Sequence, residues 1–183
     1  MVIRIILKYG MVFVGLFLLS TGCKKADPDL AITAGDQSTS GIIFDSIGLN
    51  FNGQLDIDKD GQADLNFFNN FTHYTPVRYD SKSEMSTSGA VYVCVDDGGN
   101  PKPLQKGDKI GSGLNWQSGS NFILVAESYS NYPPPNNYDR FTGNWHNVKD
   151  RYLAFKIIKN SFTYWGWVKM IDGNPVNYGY IKF

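Results

Sequence analysis

Arg151-Tyr-Leu-Ala-Phe-Lys-Ile-Ile-Lys159 and Phe162-Thr-Tyr-Trp-Gly-Trp-Val-Lys-Met-Ile171, with only Asn160-Ser161 between them, decide the fold. Both runs are rich in β-branched and aromatic residues, which suit a pleated, half-buried surface. A short Asn/Ser link between two such runs signals a hairpin. Successive side chains of a strand point to opposite faces. Phe162, Tyr164, Gly166, Val168 and Met170 therefore share one face of the second run, and Thr163, Trp165, Trp167 and Lys169 share the other. Asp172-Gly173-Asn174-Pro175 supplies a second turn into Val176-Asn-Tyr-Gly-Tyr-Ile-Lys-Phe183. The last third reads as a three-stranded antiparallel meander in which Trp165 and Trp167 are packing residues.

The same texture continues upstream. Ile42–Phe44, Ile47–Phe51, Asp64–Tyr74, Ala90–Val95 and Asn121–Tyr129 are short apolar or alternating runs broken by turn residues. No stretch carries the i, i+3, i+4, i+7 spacing of a long amphipathic helix. About eight or nine strands are expected, closing into an all-β, antiparallel β-sandwich or jelly-roll-like double sheet. The chain has 183 residues, 42% hydrophobic, 19% charged and 15% aromatic, with 19 Gly and 8 Pro. That is the size of one domain with a short tail, and too apolar for a disordered chain. Seventeen Lys+Arg balance 17 Asp+Glu with no basic block, which argues against nucleic acid as a partner.

Asp56-Ile-Asp58-Lys-Asp60-Gly-Gln62-Ala-Asp64 is the stretch with chemistry in it. Ca²⁺ takes six to eight oxygens, and carboxylates two residues apart can wrap one ion if the chain turns sharply, as Gly61 permits. Asp56, Asp58 and Asp60 would supply carboxylates, Gln62 its carbonyl, and Asp64 would close the shell directly or through water. The alternative is an Asx-rich turn that merely solvates a hairpin. Four carboxylates in nine residues repel one another without a cation, which favours the ion. The pattern resembles the first nine positions of an EF-hand loop and the calcium loops of integrin propellers, dockerins and thrombospondin type 3 repeats. Phe67 stands where the EF-hand has its closing Glu, and strands flank the loop in place of helices. The resemblance thus implies a weak, structural Ca²⁺ site and no helix-opening sensor.

The first 22 residues have the layout of an export signal. Arg4 and Lys8 precede an apolar core, Met11–Leu19, and Ser20-Thr21-Gly22 lead to Cys23. The core is shorter than the ~20 residues of a membrane span. Leu18-Leu-Ser-Thr-Gly-Cys23 resembles the relaxed lipobox of Bacteroidetes-type lipoproteins. That resemblance implies cleavage before Cys23, diacylation of its thiol, and a membrane anchor in the bacterial envelope, on the periplasmic or outer face of the outer membrane. Residues 23–40, with Pro28 and small polar residues, read as a flexible tether, and 41–183 as the β-sandwich domain. The chain from Cys23 onward carries 15 basic and 17 acidic residues, which gives no electrostatic pull toward an anionic bilayer. With Cys23 acylated, Cys94 has no disulfide partner and reads as a small apolar residue of a buried strand. The ending Tyr164-Trp-Gly-Trp-Val168 with Tyr178-Gly-Tyr180, downstream of an Asp-rich loop, resembles a recurrent ending of exported Bacteroidetes β proteins. It implies a surface β domain with no particular reaction attached.

Catalytic patterns are thin. Glu84 lies in a Ser/Thr-rich segment expected to be a loop, and Glu127 ends an apolar strand. His73 and His146 come with no nucleophile-elbow motif. Glu127 is the best acid/base candidate for a secreted glycoside or ester hydrolase, with Asp45, Asp96 or Asp139 as second carboxylate. The irregular middle offers Trp116, Tyr132, Tyr138 and Trp145 among Asn side chains, a mix suited to stacking sugar rings, with loop-covered core packing as the alternative. The sequence therefore points to a lipid-anchored envelope protein with a structural Ca²⁺ loop. As a binding or interaction module it would take a glycan or an envelope protein; a hydrolase or a purely structural component are the other readings.

Overall fold

The computed structural model describes residues 31–48, 52–75, 78–130, 137–171 and 173–183. Every regular element among them is a β-strand: β1 Ala31–Thr33, β2 Ile43–Ser46, β3 Gln54–Leu55, β4 Leu65–Thr75, β5 Arg78–Thr87, β6 Val91–Cys94, β7 Pro103–Leu104, β8 Lys109–Gly111, β9 Trp116–Gln117, β10 Phe122–Ser130, β11 Asn137–Thr142, β12 Arg151–Lys159, β13 Phe162–Ile171 and β14 Asn174–Lys182. All pairings are antiparallel.

The expected C-terminal meander is present. β12 pairs β13 from Arg151↔Met170 to Lys159↔Phe162, and β13 pairs β14. These strands sit centrally in a seven-stranded sheet ordered β2-β14-β13-β12-β6-β9, with β7 beside β12. A second sheet runs β11-β10-β5-β4-β3, and β1 and β8 form a two-stranded third.

The alternation read in the sequence sorts residues between two cores. Leu153, Phe155, Ile157, Val168, Met170, Tyr178 and Tyr180 enter the larger core with Leu65, Met85, Phe122 and Leu124 of the five-stranded sheet. Tyr152, Ala154, Trp165 and Trp167 point the other way, into a smaller core with Ile32, Ala34 and Ile110 of the β1–β8 layer. The seven-stranded sheet is thus buried on both faces, making a sandwich with a small third layer. Gly166 is required by this packing: a Cβ there would lie 2.1 Å from Cζ of Phe155, its cross-strand partner.

Among the described residues, fourteen strands replace the expected eight or nine. β1, β3, β7, β8 and β9 are two or three residues long, too short to show a period. β5 is the one long strand hidden by composition. Arg-Tyr-Asp-Ser-Lys-Ser-Glu-Met-Ser-Thr carries one core residue, Met85, so it reads as a polar loop although β4 and β10 pair with it on either side. The boundary drawn at residue 41 is also corrected. Within the stretch 23–40 read as a tether, Ala31–Thr33 is a strand, and Ile32 and Ala34 are buried. Ile32, Ala34 and Ile110 help cover that face of Trp165 and Trp167. Cys23 and the export signal lie outside the described residues.

Candidate functional site

The acidic loop connects β3 to β4 and is shaped by its own carboxylates. Asp56 accepts hydrogen bonds from the Asp60 and Gly61 amides at 3.2 and 2.8 Å, Asp58 from the Asp60 amide at 3.2 Å, and Asp60 from the Gln62 amide at 2.8 Å. Lys59 and Gly61 take left-handed φ values of +61° and +90°, which turns the chain back on itself. Asp64 closes the loop from β4's entrance, one oxygen accepting from the amides of Ile57 at 2.7 Å and Asp58 at 3.3 Å. Ile57, between the acids, is fully buried and nails the loop to the main core.

One oxygen each from Asp56, Asp58 and Asp64 lie within 4.8 Å of one another, an arrangement that could hold a metal ion. Of the four carboxylates read as ligands, these three converge. Asp60 turns its carboxylate outward to Lys159, and the Gln62 amide serves the loop's own turn. Lys159, at the end of β12, was not legible as a partner because 99 residues separate it from Asp60. Its ammonium bonds Asp58 at 2.6 Å and also Asp60, and the pair raises its pKa. The same ammonium lowers the Asp60 pKa. Burial does the opposite to Asp64, pushing its carboxyl up to about 6, with Asp58 and Asp56 adding repulsion. A lysine from one sheet thus partly neutralises a carboxylate nest borne by the other.

A second constellation lies where the long β4–β5 and β10–β11 hairpins run past the main core. The chain leaving β11 folds back across β10 at Gly143, where a Cβ would meet the Leu124 carbonyl oxygen at 2.3 Å. The Trp145 amide donates to that same oxygen at 3.0 Å, and its indole N–H donates to the Pro101 carbonyl at 2.9 Å. Trp145 is fully buried, so the expectation that it stacks a ligand is corrected: it anchors a loop. What the anchor delivers is His146. Its Nδ1 lies 3.0 Å from Glu127 Oε1, the Asn147 side chain lies 2.7 Å from Nε2, and the Phe141 ring packs at 4.1 Å. In the tautomer with its proton on Nδ1, the ring donates to Glu127 and leaves Nε2 to accept from the Asn147 amide. Glu127, His146 and Asn147 line a cleft of about 400 Å³ with Asn69, Phe71, Ser81 and Ser83.

The remaining candidates are structural where they are described. Trp116 is half-buried, its N–H donating to the Gly111 carbonyl at 3.0 Å and its ring packing on Trp165 at 5.1 Å. Tyr132 and the side chain of Tyr138 lie outside the described residues; the backbone of Tyr138, in β11, pairs with Tyr129 of β10. Asp96 accepts from Gly98, Asn100 and Asn144, and Asp45 pairs with Lys59, so neither reaches Glu127. Glu84 is buried in β5, paired with Lys82 and accepting from Asn70 at 2.9 Å. Cys94 is buried, and desolvation pushes its thiol up to about 11, as suits an inert packing residue.

No family model, no curated protein and no solved structure matches the chain.

Proposed function

We propose that the chain is an exported, lipid-anchored protein of the bacterial envelope, a binding module whose β-sandwich is stapled by one structural Ca²⁺ ion. The observation that carries the metal reading is the convergence of Asp56, Asp58 and Asp64 oxygens within 4.8 Å, on a loop already turned by Lys59 and Gly61. Hard, flexible oxygen coordination is what Ca²⁺ takes. The role is structural because the loop begins at β3, ends at β4 and meets Lys159 of the opposite sheet. The lipobox-like run ending at Cys23 supports the anchor and the envelope location. With no closing Glu, affinity in the ~10⁻⁴–10⁻³ M range of extracellular modules is expected. A binding role is favoured by the cleft, whose described lining sets hydroxyl, amide and aromatic side chains around Glu127.

Thermal unfolding of residues 24–183 in EDTA and across a Ca²⁺ titration tests the staple. If Ca²⁺ binds only the folded chain, 100 times its Kd adds ~2.7 kcal/mol. At this size that raises Tm by roughly 5–11 °C. Asp58→Ala should abolish the rise, and a flat titration of the parent chain would leave the loop as a solvated turn.

A further inference from the structure

We propose that the cleft beneath the overhanging hairpins binds a short, neutral oligosaccharide; this deepens the binding-module reading and rests on it. The strand registers lay out a single row across four strands. Phe71 of β4 pairs with Ser81 of β5, Ser81 with Glu127 of β10, and Glu127 with Phe141 of β11. Directly opposite residues share a face, so a hydroxyl and a carboxylate sit between two aromatic rings. Neighbouring strands lie about 4.8 Å apart, so Phe71 and Phe141 stand about 14 Å from each other along the row. Asn69 and Ser83 form the next row toward the core.

The chemistry of this floor selects its occupant. Phe71 is 66% exposed, the most exposed large apolar side chain among the described residues, and Phe141 is 40% exposed. The exposed Phe71 ring offers an apolar face at one end and Phe141 backs the His146 ring at the other, while hydroxyl, amide and carboxylate edges between them suit a ligand carrying many hydroxyls. Small Ser side chains leave the space above the row open. Charge argues for a neutral ligand: the Glu127 carboxylate lies against Nδ1 of His146, and the cationic Lys149 lines the same cleft. A cation would meet that ammonium and an anion that carboxylate. The site is also held in place before any ligand arrives, since Gly143 and the buried Trp145 fix the loop that carries His146 and Asn147.

The test uses the full chain, labelled at histidine and kept in a non-glycosidic detergent, with maltose, cellobiose, lactose and N,N′-diacetylchitobiose as probes. The His146 ring resonances should shift saturably with at least one of the four. Phe71→Ala, an exposed change that leaves the core untouched, should weaken that response by roughly fivefold or more, and Glu127→Gln should weaken it with Tm unchanged. No saturable shift by about 50 mM, well above a weak ~1 mM site, would overturn the proposal. So would a response to inorganic phosphate alone, or equal binding by Phe71→Ala. The Ca²⁺ titration separates the two readings. A chain that gains stability with Ca²⁺ yet ignores all four sugars loses the cleft and keeps the staple, and the converse result keeps the cleft alone.

Discussion

Asp64 is 8% exposed, and burial lifts its carboxyl to about 6 while two backbone amides hold it in place. Its titration has a definite sign. Below the unfolded-chain value of ~3.9 it is protonated in both states; between there and about 6 the unfolded chain ionises first, so the folded state loses stability as pH rises. Above that window the cost is complete, about 3 kcal/mol at most. In EDTA, the Tm of the parent chain should fall relative to Asp64→Asn between pH 4 and 6, because Asn keeps the amide acceptor without the charge. Saturating Ca²⁺ should erase that fall, since a bound cation favours the ionised form. A parent-minus-variant difference that stays flat over this range would mean the carboxylate is solvated. At this scale the sequence was legible where residues act through their neighbours: spacing alone located Asp56, Asp58 and Asp64. It was silent about Trp145, whose role depends on Pro101, 44 residues away.

Strands β12 and β13 show how far an element can be read from its own pattern. Their alternation assigned Val168 and Met170 to one face and Trp165 and Trp167 to the other, and the two cores divide along that line. Gly166 is the position where this pairing has no slack. Gly166→Ala drives a methyl into the Phe155 ring, and overpacking of this kind costs about 1–3 kcal/mol. Tm should drop by several degrees, and Phe155→Leu in the same chain should recover part of the loss. Lys159 makes a second element-level prediction. As the ammonium that neutralises Asp58 and Asp60, it competes with any bound cation. Lys159→Met should lower Tm in EDTA, and it should also lower the Ca²⁺ concentration at half-saturation. An unchanged Ca²⁺ midpoint would remove Lys159 from the site. β5 was illegible for the opposite reason to β13: its residues serve pairing and the overhanging cleft, and hydrophobic patterning cannot announce either.

The whole molecule is three layers deep, a depth that composition and periodicity did not reveal because the third layer contributes so few residues. Ile32 and Ala34 of that layer are nevertheless as buried as the main core. Ile32→Ala should cost about 2–4 kcal/mol, as a core truncation rather than a change in a loose tail. Unfolding midpoints in denaturant would reveal it, and a change within ~0.5 kcal/mol would return residues 31–40 to the tether. The early start of the fold also bears on the anchor proposed at Cys23. Eight residue steps separate Cys23 from Ala31, a reach of at most roughly 26–29 Å. With the anchor proposed at Cys23, that leash is fastened to the layer farthest from the five-stranded sheet. On that reading the anchored side is the one carrying β1 and β8, and the five-stranded sheet with its row from Phe71 to Phe141 lies across the seven-stranded sheet from the lipid.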